Sequence, residues 1–423
     1  METQKEQLYS PKKKITTIAM AFMTAAAIIS LRGLPMMAAE EMTMFFYIAF
    51  ATIFFLIPAA LISAELGSTF AKQEGGIYRW VGTAFGKKIG FVAIWLQWIQ
   101  NVVWYPTVLA FAAAAIAYGI GKPELADNGM FTGLFIILFY WVATIIAFCG
   151  TKVLSKVTSF GFIIGTVFPG LIVILLGIIW LISKKPLGFE ELTAAETSVA
   201  TIVNGKILPR WIPDLSNLKN LSFLSGIILL FAGVEVQAVH ATEMENPKKQ
   251  YPLAILISSL IVFILFTFGS LSIAAVVPNS QLKLESGLMQ ALSTMLKSVN
   301  MNWTLPILSF CIAFGALAGV LSWISGPSKG LLFTAKEKLL PIELSKTTKN
   351  GAPKNMMLLQ GFIVTILASL YFLMNDVSVA FFLLSALTVA VYIIMYILMY
   401  AAAIKLRIKF PTLERPYKAP VLY

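Results

Sequence analysis

The 423-residue chain holds one histidine, two cysteines and three aspartates, and only 12% of its residues are charged. Each shortage excludes some chemistry. The single histidine, His240, followed by Glu243, reads HxxE and lacks the second histidine of a zinc-protease HExxH helix. Cys149 and Cys311 stand alone in apolar runs, without the CxxC spacing of a metal or redox site. Asp127, Asp214 and Asp376 all lie outside the middles of apolar runs, so an intramembrane aspartyl protease has no candidate pair. No GxSxG nucleophile elbow occurs. These absences predict no enzyme, no metal and no cofactor.

What is abundant is apolar surface. Hydrophobic residues make up 58% of the chain, against roughly 45–50% in soluble domains. A membrane-crossing helix needs about 20 mostly apolar residues, and ten runs qualify. They are spans 1 to 10: Ile15–Met37, Met44–Glu65, Ile89–Ile120, Phe131–Gly150, Val157–Ile182, Leu221–Val239, Pro252–Val277, Leu305–Ile324, Asn355–Met374 and Val377–Ala403. Buried helices of a soluble protein do not run uncharged for such lengths, and strand alternation is absent, which argues against a barrel. The class is an all-α polytopic membrane protein.

The net charge of +12 is a topology signal rather than a nucleic-acid footprint. Counted over alternate connections, 23 Lys and Arg lie on the side of both termini and 8 on the other, with Arg32 left inside span 1. By the positive-inside rule both termini are cytoplasmic. The segments become a tail at 1–14, five helices over 15–182, an outer loop at 183–220, five helices over 221–403 and a tail at 404–423. The first run is too long for a signal peptide core of 7–15 residues and contains Arg32, so it reads as a helix.

Two ionisable groups remain inside the membrane, Arg32 in span 1 and Glu235 in span 6. Such burial costs roughly 2.5–3.5 kcal/mol on insertion scales, so these groups face a cavity or a partner. One reading makes them a structural ion pair; the other has them frame a substrate. Both sit beside expected helix breaks, at Arg32-Gly33-Leu34-Pro35 and at Phe231-Ala232-Gly233. A broken span exposes N–H and C=O ends that can hold a carboxylate and an ammonium. Breaks five spans apart imply two five-helix units, the second inverted because five is odd. Gln97, Gln100, Asn101 and Trp104 share one face of span 3, and Tyr392, Tyr396 and Tyr400 one face of span 10. The span-3 amides could line a cavity or simply bond between helices, and Tyr400 reads better as interfacial. His240 reads better as a cap than as a proton sensor.

At this level the chain resembles the amino acid, polyamine and organocation transporter superfamily, and most of all its glutamate/GABA antiporter family. Glu74-Gly75-Gly76-Ile77-Tyr78-Arg79-Trp80 resembles the superfamily's EGGxYxW loop. Gly233-Val234-Glu235 through His240, Glu243-Met244, Asn246-Pro247 and Tyr251-Pro252-Leu253-Ala254 resemble the antiporters' stretch after the span-6 break. Ser322-Trp323-Ile324 with Gly326-Pro327-Ser328, and Arg415-Pro416-Tyr417-Lys418, are similar to the family's span-8 end and its segment before span 11.

The resemblance implies a LeuT-like core of two inverted five-helix repeats, with an amino acid held between spans 1, 3, 6, 8 and 10. Glu235, Trp323, Tyr392 and Tyr396 match its pocket positions. Ile28, Ile29, Ser30 and Arg32 at the first break, and Phe231, Ala232 and Gly233 at the second, join them as expected substrate-binding residues. Two departures stand out: Gly319 replaces an acidic residue of span 8, and Arg32-Gly33 replaces a Tyr-Glu pair. The pocket has lost acids and gained a cation, which argues against glutamate/GABA exchange itself. Spans 11 and 12 of the usual twelve are expected to be missing, and the family's C-terminal plug has no counterpart. The reading is an amino acid antiporter of the bacterial inner membrane. A proton-coupled symporter is the alternative, disfavoured because Gly165 stands where related symporters carry a span-5 lysine and Lys156 lies at the helix end. A non-transporting sensor or subunit is the third reading.

Overall fold

The computed structural model describes residues 15–420 except 71–72, 74, 191–199, 204–205, 215–217, 239–243, 325 and 375. His240, Glu243 and Glu74 of the motifs above therefore lie outside the described residues.

Among the described residues, eight helices are long and apolar enough to cross a membrane: Glu41–Thr69, Lys87–Gly119, Gly129–Phe148, Lys156–Ile182, Lys249–Ala274, Asn302–Lys336, Lys354–Leu373 and Val377–Lys409. They fall on spans 2 to 5 and 7 to 10. Span 1 is a bent pair, Thr17–Ile28 and Leu31–Ala38, turning by 47°. Span 6 divides into Leu218–Leu230 and Val234–Ala238, leaving the short apolar stretch Leu224–Val236. Among the described residues the ten expected runs are helical, and eight of them form unbroken helices long and apolar enough to cross. Spans 1 and 6 fall short because their backbone leaves the helix midway.

Local sequence explains several details. Spans 2 and 5 each widen into a π turn, Thr52–Leu56 and Ile163–Val167, just ahead of Pro58 and Pro169. Proline lacks the N–H that would close the preceding turn, and the wider turn absorbs that loss. Span 5 meets span 8 backbone to backbone: a Cβ on Gly165 would lie 2.3 Å from Gly315 Cα. Small residues permit this approach in lipid. It also leaves no room for a long side chain such as lysine at position 165.

Span 3 is the hub, packed chiefly against spans 8 and 10. Its apolar window is 83% buried, whereas the other unbroken spans reach only 33–56%. Those spans turn Leu138, Ile163, Leu256, Phe362 and Ile397 outward, the side chains a lipid-facing surface requires. The 183–220 segment contains an antiparallel hairpin, Ala200–Val203 with Lys206–Pro209. The sequence reading gave no strand there, because two four-residue strands leave almost no alternation to detect.

Candidate functional site

The site begins with the two breaks. In span 1 the helix stops at Ile28, Ile29 and Ser30 are extended, and a tight turn over Leu31–Gly33 leads into Leu34–Ala38. The break thus falls two residues ahead of Arg32 rather than at Gly33-Pro35. Pro35 sits in the first turn of the second half, where its missing N–H costs nothing. In span 6, Gly233 adopts φ +116°, a conformation a side chain would strain. A Cβ there would also lie 2.9 Å from the Trp323 ring and 3.2 Å from the Ala27 carbonyl. The two unwound segments and Trp323 therefore meet at Gly233.

Glu235 follows at once in the second half of span 6 and is only 2% exposed. Its Oε1 accepts from Gln97 Nε2 at 3.1 Å and from the Tyr392 hydroxyl, while Oε2 accepts from the Tyr396 hydroxyl. Tyr396 also accepts the Gly233 N–H at 2.9 Å, tying the unwound backbone to the same cluster. Three neutral donors satisfy a carboxylate that would otherwise be costly at this depth. The tyrosine rings stack edge-on at 5.0 Å, and Phe55 packs on Tyr396 at 4.8 Å.

Arg32 takes a different course. Its Nη1 donates to Ser385 Oγ at 3.4 Å, its guanidinium lies 5.4 Å over the Phe381 ring, and Nε has no partner among the described residues. Arg32 and Glu235 form no ion pair among the described residues. The pairing reading fails geometrically, because span 10 offers each of them a separate partner.

Two cavities flank the Glu235 cluster. A small space of about 40 Å³ is lined by Ile28, Ser30, Arg32, Ala232, Trp323 and Tyr392, with Gln100, Asn101 and Trp104 of span 3. That is room for a few waters. Gln100 Oε1 and Asn101 Oδ1 are buried there without partners among the described residues. A larger vestibule of about 530 Å³ reaches Gln97 and Glu235 from the side of Gly75, Gly76, Lys329, Lys336 and Gly351. The bonded trio Gln97, Glu235 and Tyr392 thus stands between the vestibule and the smaller cavity. Ile29, Phe231, Gly233 and Tyr396 line neither space. Phe231 packs edge-on against Phe266 at 5.1 Å, and Ile29 is buried in the core. Tyr400 also lies outside both cavities and packs 5.9 Å from Tyr396.

Two polar clusters escaped the sequence reading. Glu337, just past span 8, takes Tyr78 at 2.7 Å, Arg79 at 3.3 Å and Lys87 at 3.1 Å. The Tyr78 hydrogen bond foremost, helped by Lys87 and Arg79, holds its carboxyl below the usual range. Glu65, nearly sealed from solvent at the end of span 2, is clasped by Arg407, by Arg415 at 3.2 Å and by the Ala419 N–H at 2.9 Å. An acid inside an apolar run was the signal for Glu65, but its arginines lie more than 340 residues away.

Comparison with known proteins places this geometry. The amino acid permease family matches residues 15–423. A Legionella pneumophila protein described as an uncharacterized transporter is 39% identical over 97% of this chain and 84% of its own length. A glutamate/gamma-aminobutyrate antiporter of Lactococcus lactis is 29% identical over 97% of this chain and 79% of its own. A probable agmatine/putrescine antiporter of the same species is 27% identical over 99% and 83%. Family and relatives are transporters rather than enzymes, and the apolar helices make this a multi-pass membrane protein. Together with the facing breaks at Ser30 and Gly233, the match over nearly its whole length means that the chain belongs to the amino acid permease family.

Proposed function

We propose that the protein is an amino acid antiporter that exchanges substrates by alternating access. The carrying observation is the vestibule that ends at Gln97 and Glu235, with Tyr392, bonded to Glu235, lining a smaller cavity between the two broken helices. The half-helix N–H ends there suit a substrate carboxylate and the free carbonyl ends its ammonium. Arg32, Ser30, Ala232 and Trp323 frame the remainder, and Gln97, Glu235, Tyr392 and Tyr396 form the inner door. Residues 15–182 and 221–403 act as the two inverted five-helix repeats. The positive-inside count supports cytoplasmic tails at 1–14 and 404–423 and an outer loop at 183–220 in a bacterial inner membrane, so the vestibule faces the cytoplasm.

Exchange rather than proton symport is favoured by Gly165, whose contact with the Gly315 backbone leaves no room for a lysine. Counterflow in proteoliposomes tests the reading. Labelled amino acid should enter only when unlabelled amino acid is preloaded. Concentrative uptake into empty vesicles under a pH gradient alone would replace exchange with symport, and no flux of any amino acid would leave the sensor reading.

A further inference from the structure

A second buried acid lies outside the substrate cavity. Glu285, in the connection between spans 7 and 8 just before helix Gly287–Ser298, is 1% exposed. Ser378 Oγ donates to its Oε2 at 2.5 Å, and Oε1 has no side-chain partner among the described residues. Ser378 opens span 10, where the Asp376 carboxylate caps its N–H at 2.7 Å.

Ser378, Ser385 and Tyr392 are seven residues apart, close to two turns, or about 10.5 Å along one face of span 10. Each is hydrogen-bonded to a buried ionisable group: Ser378 to Glu285, Ser385 to Arg32 and Tyr392 to Glu235. The same connection reaches span 1, where Asn279 Nδ2 donates to the Ala39 carbonyl at 2.7 Å. Hydrogen bonds thus join spans 1 and 10 to the start of the 7–8 connection, at the end of the path opposite the vestibule, while helix Gly287–Ser298 that follows is packed into the core. The hydrogen bonds of that first part can be released; the packed helix stays.

We propose that Glu285 is a proton-binding site that holds the outer end of the transport path shut. Protonated, it stays in its apolar setting against Ser378. Deprotonated, it carries a charge with one oxygen unmet, and hydration of that oxygen draws the 7–8 connection away from span 10. The charged and titratable groups facing it among the described residues are Asp127, Asp376, Tyr118 and Tyr371, with Arg32 beyond Tyr371 and Lys283 engaged by Asp127 at 2.6 Å. Burial foremost, with repulsion from Asp127 and Asp376, pushes its carboxyl up against the hydrogen bonds of Ser378 and its own backbone N–H. A group whose pKa is raised in the sealed state stabilises that state at low pH, and the stabilisation is lost as pH rises through the raised value. Acid outside should seal, and alkali should open.

The proposal rests on the alternating-access reading for its direction, and the test separates the two. With Cys149 and Cys311 replaced, a single cysteine at Leu229, which lines the smaller cavity, is labelled from outside by an impermeant maleimide between pH 5 and 8. Rates are normalised to a cysteine at exposed Met301, which removes the pH dependence of the reagent. Normalised labelling should rise at least fivefold with pH in the parent protein. It should stay low throughout in Glu285→Gln, which mimics the protonated acid. Ser378→Ala removes the bond that ties the acid to span 10 in the sealed state, so the midpoint should move to lower pH; this variant decides if Glu285→Gln does not fold. A flat profile in the parent, the parental profile in Glu285→Gln or an unmoved midpoint in Ser378→Ala overturns the site. Any of these with intact counterflow leaves the exchange reading standing, whereas absent counterflow removes that reading by itself.

Discussion

Two carboxylates, Glu65 and Glu235, are almost equally buried and are solvated in opposite ways. Glu65 is held by two guanidinium groups and a backbone N–H that fasten the tail after span 10 to the end of span 2. Glu235 is held by two tyrosine hydroxyls and an amide, with no cation bonded to it among the described residues. An ion pair stripped of one partner leaves a buried charge, so the Glu65 clamp is fixed. Neutral donors that release a carboxylate to water or substrate leave no second charge stranded, so the Glu235 cluster can open. The difference separates a fastening from a door.

The comparison breaks most visibly at the clamp. Glu65→Gln should cost about 3–5 kcal/mol by stranding Arg407 and Arg415, seen as a large drop in the melting temperature of the detergent-solubilised protein. A melt unchanged from the parent would mean that the clamp carries no stability. At the door the ordering reverses. Glu235→Gln should leave the melt near the parent yet reduce counterflow at least tenfold. Tyr396→Phe should impair transport more than Tyr392→Phe, because Tyr396 also accepts the Gly233 N–H; a hydrogen bond to a charged group is worth about 1.5–3 kcal/mol.

A smaller effect is expected at Arg32. With no bond to Glu235, Arg32→Gln should change substrate KM by roughly tenfold without shifting the melt, and adding Glu235→Gln should not rescue it. Rescue in the double-mutant cycle would restore the ion pair that the geometry denies. The smallest effect belongs to Glu337. Its carboxyl is held below the usual range by Tyr78, Lys87 and Arg79, so its contribution is present above the unfolded carboxylate pKa and lost as pH falls through the lowered folded value. Glu337→Gln should flatten the acid limb of the stability profile, and an unchanged limb would assign the acid sensitivity elsewhere.

Much of this molecule was legible in its residues. Apolar run length set ten helices and their positions, because a bilayer leaves a backbone few other ways to satisfy its hydrogen bonds. Arg32 and Glu235 announced themselves as rare charges beside weak helix points, and the span-3 face of Gln100, Asn101 and Trp104 followed from helical spacing. The exact break was less plain: the residues alone put it at Arg32-Gly33-Leu34-Pro35 and only the resemblance named Ile28, Ile29 and Ser30, whereas the chain unwinds at Ile29 and Ser30, just past Ala27, whose carbonyl meets Gly233.

Partner choice was decided only by the tertiary structure. The sequence placed Arg32 and Glu235 as opposite charges within one membrane, and nothing in it forbade their union. Packing along span 10 instead gives Arg32 to Ser385, Glu235 to Tyr392 and Tyr396, and Glu285 to Ser378. Glu65 found its arginines the same way, across more than 340 residues. Hydrophobicity is a property of each segment and can be read one segment at a time. A hydrogen bond depends on which two atoms, far apart in the chain, come within about 3 Å of each other, and only the packed helices fix that.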